Sequence, residues 1–299
     1  MIRGAGDLRA SADVARAAGL DVALVPTMGA LHEGHASLLR RARQDRSFVA
    51  MSLFVNPLQF GAGEDFDRYP RDEGADLAMA DRLGVDVVWA PPVEEMYPPG
   101  RDVPLPDPGP VGDVLEGASR PGHFAGVLAA VRRLLEVFGP GAVYFGEKDA
   151  QQLFLVRKMV NELDELGSVT VVGCPTVREA DGLALSSRNA HLSAEEREQA
   201  GCLFLALSEA AAAFRSGERE AGVLRAVMAR EIGATPLARL DYATVVDEAT
   251  FTEIQRVDRP ARALVAARMG GTRLIDNLRL SSGEPVGHAE PASGVGRAG

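Results

Sequence analysis

Apolar residues in the first 175 positions fall into short solid runs separated by stretches of helical period. Asp21-Val22-Ala23-Leu24-Val25 is one such run, stopped by Pro26. Phe48 to Val55 (FVAMSLFV) is almost wholly apolar, as a strand covered on both faces of a parallel sheet should be. Val85 to Ala90, Ala142 to Phe145 and Val169 to Val172 have the same character. Between them, helices are predicted over Asp7 to Gly19, His35 to about Asp45, Gly74 to Leu83 and Gln151 to Leu163. Another is marked by Val127, Val131, Leu134 and Leu135 and ended by Gly139-Pro140. Strand and helix alternate five times with helices of ordinary crossover length. That rhythm predicts an α/β fold, a Rossmann-like doubly wound parallel sheet, over residues 1–175.

Two stretches break the rhythm. Pro91 to Pro121 is rich in proline, glycine and charge and reads as a long surface excursion. After Pro175 come alanine-rich helices, Ala194 to Phe214 and Glu220 to Ile232, then strand patterns at Leu240 to Val246, Arg262 to Ala267 and Thr272 to Ile275. Residues 176–280 are therefore expected to form a second, smaller α+β C-terminal domain. Residues 281–299 (SSGEPVGHAEPASGVGRAG) have almost nothing to bury and are expected to be disordered.

Composition narrows the choice of function. The chain has 299 residues, 46% of them hydrophobic, and a formal net charge of -10, so a general nucleic-acid binder with a basic face is disfavoured. A phosphate-rich ligand would need a local pocket of donors against this acidic background. The two cysteines, Cys174 and Cys202, sit in apolar surroundings and read as buried thiols, with no CxxC to suggest zinc or a redox pair. No signal-peptide core and no apolar run of membrane-spanning length is present, so a cytoplasmic chain with no membrane partner is expected.

The strongest chemical signal is Pro26-Thr27-Met28-Gly29-Ala30-Leu31-His32-Glu33-Gly34-His35, directly after the first strand. In an open α/β sheet, ligands gather at the carboxyl ends of strands, where helix N-termini also aim free N–H groups. Histidines three apart can both face one phosphate chain from the first helical turn. A metal site would want a third ligand nearby, and none follows; structural histidines capping a turn are the third option. Asn56 and Gln59 (NPLQF) end the second predicted strand and carry amides suited to hydroxyl and carboxylate groups, although a turn with an Asn cap is common. Gly146-Glu147-Lys148-Asp149 ends the AVYF strand and Gln152 opens the next helix; Lys148 supplies a point charge for phosphate, unless the run is only a solvated surface. Leu185-Ser186-Ser187-Arg188-Asn189 follows Arg178-Glu179-Ala180-Asp181-Gly182 at the proposed domain junction, where hydroxyls and a guanidinium could wrap phosphate oxygens.

The segments PTMGALHEGH, SLFVNPLQFG, FDRYPR, GHFAGVL, YFGEKDAQQ and PTVREADGLALSSRN occur in this order across residues 25–190. Together they closely resemble the pantothenate synthetases, the pantoate–β-alanine ligases of the His-x-Gly-His nucleotidyltransferase superfamily. The resemblance implies ATP-dependent condensation of pantoate with β-alanine through a pantoyl-adenylate, releasing AMP and diphosphate, with Mg²⁺. It implies an ATP site lined by Met28, Gly29, Ala30, Leu31, His32, Glu33, Gly34 and His35, with His35 at the proton-donor position. Gly146, Glu147, Lys148, Asp149, Val177, Leu185, Ser186, Ser187 and Arg188 would complete it. His32, His35, Lys148 and Arg188 would carry the chemistry. Gln59 and Gln152 would hold pantoate, with Gln59 also near β-alanine and Pro26, Met28 and Asn56 alongside; Asp76 would associate with Mg²⁺. A homodimer whose smaller domain acts as a lid is also implied. Ala75 departs from the family by replacing a second acid beside Asp76, and Ala150 by replacing an aromatic before the glutamines. A sister nucleotidyltransferase, a tRNA-synthetase-like RNA binder and a non-catalytic nucleotide sensor are the alternative readings.

Overall fold

Strand residues sort by parity into two cores, and that sorting builds the sheet. In a computed structural model describing residues 1–61, 66–100, 103 and 105–281, the chain divides into two compact units, Met1–Cys174 and Pro175–Gly299. Among the described residues the first unit holds strands β1 (Val22–Thr27), β2 (Phe48–Leu53), β3 (Val87–Trp89), β4 (Ala142–Gly146) and β5 (Thr170–Cys174). All pair in parallel, in the order β3-β2-β1-β4-β5. Helices α1 (Ala5–Ala17), α2 (Glu33–Asp45), α3 (Glu73–Arg82), α4 (Val93–Met96), α5 (Glu116–Ser119), α6 (His123–Phe138) and α7 (Ala150–Glu162) complete it. Val22, Leu24, Ala50, Val143 and Phe145 face one core with α1, α6 and α7. Their neighbours Ala23, Val25, Val49, Met51, Ala142 and Tyr144 face the other with α2 and α3. Burial on both faces explains why these strands read as unbroken apolar runs.

Three expectations are revised here. Pro26 does not stop β1: it lies inside the strand, in register with Ser52. The Thr27 carbonyl accepts from Phe54 N–H on the β2 side, so the nitrogen of Pro26 faces β4. There β1 and β4 are partners only at Ala23 and Leu24, and a missing N–H costs no ladder bond. Beyond Leu24 the sheet forks, with β1 still paired to β2 and β4 still paired to β5. Secondly, the segment after Pro91 is tied down rather than a plain excursion. Gln151, 3% exposed, donates from Nε2 to the carbonyls of Val111 (2.7 Å) and Val114 (2.9 Å) and accepts the Glu116 N–H (3.1 Å). Residues 101, 102 and 104 of that segment lie outside the described residues.

The second unit contains α8 (Ala194–Gln199), α9 (Cys202–Arg215), α10 (Ala221–Gly233) and an antiparallel sheet of β6 (Ala238–Asp247), β7 (Ala261–Met269) and β8 (Thr272–Leu280). The third revision is that the helix expected over Ala194 to Phe214 is two. Gly201 stands at the break, where an added Cβ would lie 3.2 Å from the Asp181 carbonyl, so the junction packs closely against that residue. The unit has its own apolar core of α9 and α10 against the sheet. The tail expected to be disordered lies, from residue 282 onward, outside the described residues.

Candidate active site

The fork between β1 and β4 opens at the carboxyl ends of the strands, at the point where the strand order reverses, which is where open α/β sheets bind ligands. The chain leaves β1 through a tight loop: Gly29 has φ +86° and Ala30 φ +51°, a left-handed conformation that a non-glycine residue adopts only at a cost. Asp76, on α3 and 3% exposed, holds that loop. Its Oδ2 accepts the Ala30 N–H at 3.1 Å and its Oδ1 the Leu31 N–H at 2.8 Å. A Cβ on Gly29 would approach Asp76 Oδ2 to 2.8 Å, so the clamp also requires glycine there. Thr27 closes the other side, donating to the Ser52 carbonyl at 2.7 Å and accepting the Gly29 N–H at 3.3 Å.

His32 caps α2 and His35 lies in its first turn, with ring centroids 4.2 Å apart. Each ring's Nδ1 accepts a backbone N–H: His32 from Gly34 at 3.1 Å, His35 from His32 at 3.3 Å. The proton of each neutral imidazole therefore sits on Nε2, and both rings present an Nε2–H donor. Burial pushes His35 down to about 3, with nearby His32 adding and Asp149 opposing. His32 is lowered as well, by burial and then by the charge of Lys148, against Asp149. Near neutral pH both rings are uncharged hydrogen-bond donors, so His35 does not enter as an imidazolium acid in the ligand-free protein. The loop that follows β4 thus lies within electrostatic range of the histidines. Lys148 keeps 19% of its side chain exposed, its Nζ 3.6 Å from Asp149 Oδ1.

Just beyond the carboxyl end of β2 stands an amide whose orientation is dictated by main-chain groups. Asn56 Oδ1 accepts the Leu58 N–H at 3.2 Å, and the Tyr97 hydroxyl donates to it at 2.8 Å. Asn56 Nδ2 donates to the Gly126 carbonyl at 3.0 Å and to Gln59 Oε1 at 3.1 Å. An N–H can only donate and a carbonyl only accept, so the Asn56 amide has one orientation, and Gln59 must then present its NH₂ outward. That NH₂ reaches Met28 Sδ at 3.0 Å. A thioether is a weak acceptor, so the donor is parked there and is open to exchange for a better oxygen.

Several expected roles change in consequence. Asn56, 2% exposed, has its amide occupied by the protein and positions Gln59 rather than meeting a substrate. Glu33 turns its carboxylate along α2 to pair with Arg40. The N–H groups of Ala30 and Leu31 belong to Asp76 and are not available to a nucleotide. Asp76 itself does not fit the part of a direct magnesium ligand: both its oxygens are engaged and its side chain is enclosed. Among the described residues no group of three His, Cys, Asp or Glu could hold an ion. Gln152 is half-buried in the first turn of α7, and its side-chain amide makes no hydrogen bond among the described residues. Arg120 and His123, which sequence reasoning did not single out, grip the Gln59 carbonyl; only the GHFAGVL motif pointed near them.

Val177, Leu185, Ser186, Ser187 and Arg188 belong to the second unit. A short hairpin brings the Leu185 N–H to the Val177 carbonyl at 3.0 Å, with Gly182 turning at φ +90°. Arg178 anchors it with a bidentate pair to buried Asp276, at 2.5 and 2.9 Å, and packs its guanidinium 4.3 Å from the Phe204 ring centroid. Ser186 then caps the turn at 187–191, its hydroxyl accepting the Arg188 N–H at 3.3 Å.

A forked parallel sheet with paired Nε2–H donors after its first strand defines an α/β enzyme of the His-x-Gly-His kind. The sequence matches the family model described as "Pantoate-beta-alanine ligase" over residues 1–279. It is 50% identical to the pantothenate synthetase of Rhizorhabdus wittichii, covering 94% of this chain and 98% of that one. A crystal structure of pantothenate synthetase from Thermus thermophilus superposes with a TM-score of 0.87 at 44% identity, covering 93% of this chain and 98% of that one. A pantoate-beta-alanine ligase from Francisella tularensis, complexed with "Beta-gamma ATP and Beta-alanine", gives 0.74 at 30% identity over 94% and 98%. The chain belongs to the pantoate–β-alanine ligase family, and it is an enzyme.

Proposed function

We propose that the fork holds ATP and pantoate side by side for an in-line attack on the α-phosphorus, and that β-alanine then takes the activated acyl group. A carboxylate acylates an amine poorly because its leaving group is bad; joining it to AMP corrects that. The pantoate carboxylate attacks the α-phosphorus, the bond to diphosphate breaks, and pantoyl-adenylate forms. The free amine of β-alanine attacks the acyl carbon, AMP leaves with the electron pair of the acyl–phosphate bond, and the amine loses its proton. No protein nucleophile is required, so the protein contributes position and charge stabilisation.

What supports this reading is the set of donors carried by the segments that follow β1, β2 and β4: Nε2–H of His32 and His35, the outward NH₂ of Gln59, and the ammonium of Lys148. Phosphate oxygens and a small hydroxy acid are the acceptors such a set suits. Gln59 and Gln152 are assigned to pantoate, with Gln59, Pro26 and Met28 bordering both small substrates. Met28, Gly29, Gly34, Gly146, Glu147, Lys148 and Asp149 are assigned to the nucleotide. Val177 and Leu185–Arg188 join it on the strength of the family resemblance, as do the lid role of the smaller domain, the homodimer and the cytoplasmic location. No helix among the described residues is long and apolar enough to cross a membrane. Magnesium, which typically binds through substrate phosphates and few carboxylates, enters this reading as the chelate of ATP alone.

The test is pyrophosphate–ATP isotope exchange with and without pantoate. Exchange should depend on pantoate, and His35→Ala should depress it about a hundredfold, roughly the 3 kcal/mol that one stabilising donor is worth at such a centre. Exchange without pantoate, or an adenylate retained in the final product, would point to a sister nucleotidyltransferase instead.

A further inference from the structure

We propose that His123 and Arg120 are positioning residues for Gln59, aiming its amide at the acid and the amine by fixing the main chain that carries it. This role rests on the assignment of Gln59 to the two small substrates. Gln59 ends a single 3₁₀ turn, Pro57–Gln59, whose last carbonyls have no partner within the turn. The Gln59 carbonyl is instead taken by His123 Nδ1 at 2.9 Å and by Arg120 Nη2 at 3.3 Å. A carbonyl can only accept, so His123 carries its proton on Nδ1, and its Nε2 accepts from Arg120 Nη1 at 3.0 Å. Arg120 thus spans both the carbonyl and the ring that holds it.

The backbone of α6 arrives with this pair. Gly122, at φ +80°, starts the helix, and His123 is its first residue. One turn on, an added Cβ at Gly126 would lie 2.0 Å from the Leu58 carbonyl, so the helix lies directly against the turn. The same residue's carbonyl fixes Asn56, which fixes the Gln59 amide. The side chain of Gln59 is therefore oriented from Gly126 through Asn56, and its main chain from His123 and Arg120. Neither alone defines where the NH₂ points. A displacement of the carbonyl swings the amide away from Met28 and the fork, while the histidines at α2 keep their own partners.

The experiment is a steady-state comparison of His123→Ala, His123→Asn and Arg120→Lys, each also made in a Gln59→Ala background. Asn can return an N–H donor near the position of Nδ1, so it serves as the conservative variant. His123→Ala should raise KM for pantoate and for β-alanine about tenfold, with ATP KM changed less than twofold, and His123→Asn should recover most of that loss. Arg120→Lys, which keeps charge but loses the fork, should fall between them. In the Gln59→Ala background His123→Ala should add almost nothing, because the amide it aims is gone. Additive losses in that background, or equal losses for ATP and pantoate, would overturn the positioning role. If Gln59→Ala itself left both small-substrate KM values unchanged, the assignment of Gln59 would fail instead.

Discussion

Asp76→Asn separates two roles that one carboxylate could have. The native side chain accepts two N–H groups, at 3.1 and 2.8 Å, from a loop whose Ala30 sits at φ +51°. Asn can accept one of them with its oxygen and must turn an NH₂ toward the other, donor against donor. Losing one charge-assisted bond and stranding one enclosed N–H costs about 3 kcal/mol, net of what the remaining bond keeps. For a domain of this size that is a fall of roughly 6–12 °C in Tm. The assay is thermal unfolding of the first unit's signal, taken without nucleotide and in the presence of a chelator, so that no ion contributes. Adding Ala30→Gly should return about 1 kcal/mol, because glycine accepts the left-handed conformation freely. The magnesium concentration that half-saturates pyrophosphate exchange should stay within twofold. An unchanged Tm together with a tenfold or greater shift in that magnesium requirement would refute the clamp and restore Asp76 as a metal ligand.

Two further outcomes follow from the same geometry. Gly126→Ala should separate α6 from the turn at residues 57–59, costing about 1–3 kcal/mol as overpacking does, and raising the KM for pantoate; wild-type stability and kinetics would contradict the close approach. His35, with its pKa pushed down to about 3 by burial, should remain uncharged in ligand-free protein at pH 5 by imidazole NMR. The unfolded chain takes up that proton at an ordinary pKa and the folded one does not. The contribution of His35 is therefore complete above about pH 6.5 and is lost as pH falls from there toward 3. His35→Gln should accordingly flatten the acid limb of stability, and a charged ring at pH 6 would contradict the assignment.

The central strands β1, β2 and β4 were legible because both their faces are buried, which leaves few polar positions to blur the runs. Helix ends were legible where glycine supplied a turn, as at Gly139, φ +57°. The histidine pair, Lys148 and Gln59 could be nominated because they sit where strands end. What could not be read was which polar side chains the protein uses up on itself. Asp76 reaches 46 residues back to Ala30, and Asn56 reaches 70 residues forward to Gly126. Gln151 and Gln152 are adjacent and alike in sequence, yet the first is spent on Val111, Val114 and Glu116. Local pattern carries no record of such distant partners. Pro26 misled for a related reason: a proline rule applied to one strand cannot know that its neighbour has already parted from it.

That parting makes the opening a property of the main chain. Pro26, with no N–H on its β4-facing side, stands where β1 is no longer paired with β4 and offers no donor that could close the gap. The cleft can therefore keep its width while the side chains lining it vary, so changes in which acid or amine is preferred need not disturb the scaffold that holds the gap apart.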